Sequence, residues 1–193
     1  MGLSSQQKKI LFYCIKFLGI YCMLYYGSKA IIGLSVPGGG YYSPIIQRYF
    51  DYPSLLRKGI LHVSGFMLNF LGYPGEILAP YKVRLINGRG VKIVYSCLGL
   101  GLFSFWIAFV LANTAGIKRR VKCLGWGVLA IFLINVTRVV LLVIVANHKA
   151  SLLEGTDHHT VFNIAAYTLI FLMIFIYDRT DRKGVSVENK KLL

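Results

Sequence analysis

"VKIVYSCLGLGLFSFWIAFVLA", residues 91–112, changes character in its middle. Up to Tyr95 the apolar side chains alternate (Val91, Ile93, Tyr95), the two-residue period of a strand with one buried face. From Cys97 onward the chain is apolar to about residue 114, close to the roughly 20 residues that cross a bilayer as a helix. The stretch reads as a strand that feeds a membrane span. A thiol and two glycines, Gly99 and Gly101, stand at the junction.

Working outward, Val83 and Leu85 alternate before Asn87-Gly88, which makes residues 81–96 a short β-hairpin leading to the cysteine. Upstream, "GILHVSGFMLNFLGY" (59–73) is apolar for only about 14 residues, short of a full span. It is expected to form an interfacial or re-entrant helix that adds no net crossing. The Pro and Gly residues of "PGGGYYSP" (37–44) mark a loop. Four longer apolar stretches, about 10–34, 97–114, 122–146 and 160–177, read as transmembrane helices, and a polar tail follows from Asp178. The expected fold is an all-α polytopic membrane protein, with residues 1–193 as a single domain and 178–193 as a cytoplasmic tail.

Composition agrees with this. The 193 residues are 56% hydrophobic and 15% charged, against about 45–50% and about 25% in soluble domains. Twenty-two Lys and Arg against seven Asp and Glu give a formal charge of +15. Such an excess in a soluble chain suggests nucleic acid; here it flanks apolar spans, where it orients helices and meets anionic lipid. No nucleic-acid role is expected. Basic residues cluster at Lys8 and Lys9, at Lys118, Arg119, Arg120 and Lys122, and after Arg179. All three clusters share a side if residues 35–96 make no net crossing, and the positive-inside rule makes that side the cytoplasm. Both termini are then cytoplasmic.

In that orientation Cys97 starts the second span at the outer face, and His158 and His159 start the fourth there. Arg138, in "FLINVTRVVLLVIV" (132–145), sits in the outer half of the third span. An ionisable group in a span is costly and marks a bundle interior or watery cavity, although a snorkelling arginine also fits. Asn135, three residues earlier on the same helix face, is placed to hold the arginine. Cys97 alone also reads as a packing residue, but Gly99 and Gly101 allow close approach of a backbone, and a helix start or nearby cation favours thiolate. His158 and His159 also read as covering a helix capped by Asp157. Zinc is not expected, because adjacent histidines on a helix point apart. Four cysteines without a CxxC pair imply neither metal nor disulfides, and no cofactor is implied.

Together these residues resemble the exosortases and archaeosortases, polytopic membrane enzymes that process proteins bearing a C-terminal sorting signal. The resemblance rests on Cys97-Leu98-Gly99 after "VKIVYS", on Asn135-Val136-Thr137-Arg138 within a span, and on "HTVFN", which puts His159 at the start of a late span. Leu98 stands where the family has a small residue and Asn163 where it has a glycine, so His158 stays as the alternative register. The length is similar to that of compact bacterial members, those of the Bacteroidetes type. The first 75 residues carry no signature of the family. The resemblance implies a cysteine protease or transpeptidase of the bacterial inner membrane, with its active site at the outer face. Cys97 would be the nucleophile, His159 the proton shuttle and Arg138 the anion stabiliser. The implied partner is an exported protein whose tail carries a short motif, a transmembrane helix and a basic cluster. A non-enzymatic membrane scaffold, with Arg138 pairing to a partner helix, is the alternative. A small transporter is disfavoured, since one intramembrane charge is evident and no inverted repeat shows.

Overall fold

The computed structural model describes residues 4–37, 41–113 and 116–147, together with 164, 166–177 and 179. The chain forms two compact units, Met1–Ala150 and Ser151–Leu193. In the second, an apolar helix α6 covers Ala166–Tyr177, within the stretch expected as the fourth span; the rest of that stretch lies outside the described residues.

The first unit contains α1 (Ser5–Ser35), α2 (Pro44–Tyr49), α3 (Tyr52–Phe70), three strands, a 3-10 turn (Tyr95–Leu98), α4 (Leu100–Ala112) and α5 (Ile117–Asn147). Among the described residues three helical segments, Ser5–Ser35, Tyr95–Ala112 and Ile117–Asn147, are long and apolar enough to cross a membrane. The expected all-α polytopic class is therefore borne out. At 31 residues each, α1 and α5 run about 46 Å at 1.5 Å per residue, beyond the roughly 30 Å hydrocarbon core. A capping box starts α1: Ser4 Oγ accepts from the Gln7 backbone, and Gln7 Oε1 accepts from the Ser4 backbone.

Helix contacts define the directions. Along α4, Gly101 faces the Tyr25 ring, and Phe105 meets Phe17 edge-on at 5.3 Å between centroids. Residue numbers rise on α4 as they fall on α1, so the two are antiparallel. Asn135 reaches the Leu98 carbonyl while Trp106 donates to the Cys123 carbonyl at 3.3 Å, so α4 and α5 are antiparallel as well. The N-terminal ends of α1 and α5 thus share one end of the unit, and residues 36–98 leave and return at the other.

Several boundaries differ from the sequence expectation. Lys118 to Lys122 lie ahead of the apolar stretch at about 122–146 yet belong to the first turns of α5, because Lys and Arg are good helix formers whose charged heads reach outward from an apolar stem. Most of the 59–73 stretch belongs to a helix that begins earlier, at Tyr52, and ends at Phe70. Asp51 Oδ1 caps it by accepting from the Ser54 backbone at 3.1 Å, and Pro53 sits in its first turn. Its buried stripe (Arg57, Ile60, Leu61, Ser64, Leu68) has helical spacing. This helix, α3, begins beside α1, where the Tyr52 hydroxyl meets Ser28 Oγ. It runs out to the sheet, where Gly65 lies against Ile77 and Leu68 against Gly75.

The hairpin supplies two strands of a three-stranded antiparallel sheet, β1 (Gly75–Leu78), β2 (Lys82–Leu85) and β3 (Gly90–Lys92). Val83 pairs with Val91 and Lys82 with Lys92, while Arg84 opposes Glu76 and bonds it at 2.9 Å. Asn87 adopts a positive φ of 60° at the tip, which asparagine tolerates. The tip is tied to the end of α5: the Arg89 backbone donates to Asn147 Oδ1 at 2.6 Å, and Asn147 Nδ2 donates to the Arg89 carbonyl at 2.9 Å. The second arm is shorter than its alternation suggests. It leaves the ladder after Lys92 and tightens into the 3-10 turn that holds Cys97.

Small residues let α4 and α5 approach closely, the usual basis of helix association where lipid removes the hydrophobic drive. A Cβ on Gly127 would stand 1.8 Å from Trp106 Nε1, whereas one on Gly125 would meet nothing within 4 Å. Gly127→Ala is therefore expected to cost about 1–3 kcal/mol by overpacking, and Gly125→Ala to be neutral or slightly stabilising. Thermal unfolding midpoints of the two variants in one detergent check this pair.

Candidate active site

Cys97 is the third residue of the Tyr95–Leu98 turn. Its N–H donates to the Val94 carbonyl at 2.9 Å, and its half-buried side chain packs against a core built by α3, the sheet and α5. The thiol is free, as are Cys14, Cys22 and Cys123. The next residue, Leu98, is fully buried. The side chain that departs from a small residue here is thus an anchor for the turn, sunk in the core.

Gly99 then makes the break between turn and helix. Its φ of 68° is left-handed, and it forms the N-cap of α4. A Cβ there would stand 2.8 Å from Asn135 Nδ2, so the site needs glycine for both conformation and space. Asn135 is almost wholly buried and donates to the Leu98 carbonyl at 3.3 Å and to Ile131 at 3.0 Å. Asn135 holds the backbone just after the cysteine, where the carbonyl across the interface needs a donor that α4 cannot supply.

Arg138 lies one turn further along α5, about 4.5 Å of rise from Asn135 and on the same face. It is 9% exposed, which favours the bundle interior over snorkelling to the surface. Its helix neighbours Val136, Val139 and Val140 belong to the core on which Cys97 packs. The Cys97–Gly99 segment and Asn135 are thus brought together, and Arg138 follows one turn along α5. His158 and His159 lie outside the described residues. Among the described residues no three His, Cys, Asp or Glu side chains gather as a metal site would need.

A second buried guanidinium escaped the sequence reading. Arg57 on α3 is 7% exposed. Its Nε–H donates to the Ile93 carbonyl at 2.6 Å, and its guanidinium carbon lies 3.7 Å from the Tyr81 ring centroid and 4.7 Å from that of Tyr95. One turn earlier, Ser54 Oγ and the Tyr95 hydroxyl bond at 3.0 Å. In sequence Arg57 sits beside Lys58 and resembles a solvated charge pair. The three- and four-residue spacing from Pro53 to Ile60 was the one signal that separates the two.

Gly99→Ala is expected to destabilise by about 2 kcal/mol, since an L-residue in the left-handed region costs roughly 1–2 kcal/mol and its Cβ displaces Asn135. Gly101→Ala, whose Cβ would touch only Tyr25 ring carbons at 3.7 and 4.0 Å, should unfold close to wild type. Unfolding midpoints of the purified variants decide between these outcomes.

Comparison with curated proteins and with solved structures returns no match. Comparison with known families matches residues 6–176, nearly the whole chain and all of the Cys97, Asn135 and Arg138 segments, to one family, Transmembrane exosortase (Exosortase_EpsH). The chain belongs to the transmembrane exosortase family.

Proposed function

We propose that this exosortase-family protein is a membrane-embedded cysteine transpeptidase that cleaves the C-terminal sorting signal of exported proteins. The observation that carries this reading is the construction around Cys97. A thiol stands in a tight turn at the head of an apolar helix, Asn135 holds the following carbonyl, and a buried Arg138 lies one helical turn away.

In the reaction, the Cys97 thiolate attacks a backbone carbonyl carbon of the substrate tail. The S–C bond forms, and the carbonyl π electrons move to oxygen. Arg138 offers planar paired donors to that developing oxyanion. As the tetrahedral centre collapses, the C–N bond breaks and His159 gives a proton to the departing amine, leaving a thioester. The acceptor nucleophile then loses its proton to His159 and displaces Cys97. The site suits a substrate whose scissile bond lies next to a transmembrane helix, because Cys97 itself opens one. Basic clusters at the shared N-terminal end of α1 and α5 support a cytoplasmic placement of that end. The sheet, the turn and the scissile bond then belong to the outer half of a bacterial inner membrane.

Cys97→Ala is expected to abolish processing while the protein stays in the membrane. Cys97→Ser should be nearly as inactive, because a hydroxyl ionises far less readily than a thiol with its usual pKa of about 8.5. Arg138→Lys should lose on the order of 10²-fold, as removal of one oxyanion donor does elsewhere. His159→Ala should be severe and His158→Ala mild. The readout is the ratio of precursor to processed substrate on a gel, with membrane levels checked by blot. Full processing by Cys97→Ala ends the enzyme reading in favour of a scaffold. Loss in His158→Ala with retention in His159→Ala moves the shuttle by one residue.

A further inference from the structure

We infer that Arg57 is a positioning residue for Cys97, acting as a clamp from α3 on the segment that enters the cysteine turn. This rests on the reading of Cys97 as the nucleophile and extends it to a residue outside the Cys, Arg and His set.

A buried guanidinium is costly to maintain, and an apolar side chain of similar volume would fill the same core without that cost. Among the described residues no carboxylate lies within ion-pair distance of Arg57; the ion pair formed there joins Arg84 and Glu76. Asp51, one and a half turns earlier, is engaged in capping Ser54. What meets the charge instead is directional: one backbone carbonyl and two aromatic faces. A planar guanidinium can donate in its plane while stacking on rings above and below, which an ammonium cannot do.

The partners are all on the path to Cys97. Ile93 lies four residues before the cysteine and Tyr95 two before it. Tyr81, the residue before β2, has a left-handed conformation with φ of 62°, and its carbonyl accepts from the Ile93 N–H at 2.9 Å. Arg57 therefore binds Ile93 directly on its carbonyl side and, by stacking on Tyr81, secures the residue that binds its N–H. Ser54, on the same face of α3, fixes the far end of Tyr95. Asn135 of α5 holds the outgoing side of the turn at Leu98. Cys97 stands between two grips, one from each helix, and the catalytic geometry depends on both. Misplacement of a reacting group by about 1 Å can cost on the order of 10²-fold in rate.

The test reads the grip without relying on catalysis. In full-length protein with Cys14→Ala and Cys22→Ala, held in native membranes, N-ethylmaleimide labels the two remaining thiols, and mass spectrometry gives separate rates for Cys97 and Cys123. Both are half-buried, but Cys123 lies in α5, away from the clamp. Arg57→Met should raise the Cys97 to Cys123 rate ratio by about fivefold or more, in keeping with loss of a desolvated cation–π contact. Tyr81→Leu should raise it similarly, and Tyr81→Phe, which keeps an aromatic face, should stay within about twofold of the parent. An unchanged ratio in Arg57→Met overturns the inference. So does an equal rise at both thiols, which marks a general loosening of the fold, or a rise in Tyr81→Phe as large as in Tyr81→Leu. If Arg57→Met fails to accumulate, the two Tyr81 variants decide alone. Full processing by Cys97→Ala would remove the nucleophile reading and leave the labelling ratio as it was, so the two failures are separable.

Discussion

Non-helical backbone among membrane helices persists only where protein groups satisfy its polar atoms, and residues 93–99 are such a backbone. Four carbonyls in this short segment find four different donors. Ile93 is met by Arg57, Val94 by the Cys97 N–H, Leu98 by Asn135 and Gly99 by the Phe103 N–H. Two of those donors come from outside, one from α3 and one from α5. The position of these helices follows from the need to supply them, and a half-buried thiol is the product of that arrangement.

Around this segment the helices hold together by fit. Lipid competes for apolar side chains as well as another helix does, so close approach and aromatic contacts carry the association. Gly127 receives the Trp106 indole, Gly101 faces Tyr25, and Phe105 meets Phe17. The outer surface of α1, with Ile10, Leu11, Phe12, Leu18 and Met23 exposed, is what a lipid-facing helix presents.

Much of this was legible locally. Hydropathy reports the spans, and alternation around Asn87-Gly88 reports the β2–β3 hairpin. Glycines after the cysteine mark close backbone approach, and an arginine in an apolar run marks burial. What escaped depends on partners far away in sequence. Strand β1 is four residues long between prolines and exists because β2 offers it an edge. Arg57 sits beside Lys58 in sequence, and nothing nearby reveals Tyr81, Ile93 and Tyr95 closing over it. Asn135 and Arg138 face one side of α5, and nothing local reveals that Asn135 also donates to Leu98 in the turn before α4. The start of α3 was obscured by a mixture of polar and apolar residues whose helical phase becomes clear only once Asp51 is recognised as a cap.

The double hydrogen bond between Asn147 and the Arg89 backbone has a consequence for how this chain can vary. Asn147 and Asn135 fasten the same strand-and-turn segment to α5 at two heights, twelve helical residues or about 18 Å apart, while eight residues of chain lie between Arg89 and Leu98. The helix acts as a ruler and the segment beside it is cut to length. An inserted or deleted residue between 89 and 98 cannot be absorbed by sliding, because sliding by one residue also turns the strand's buried face outward. Length variation in this protein therefore belongs in other connections, and the stretch from hairpin tip to cysteine is bound to a fixed count.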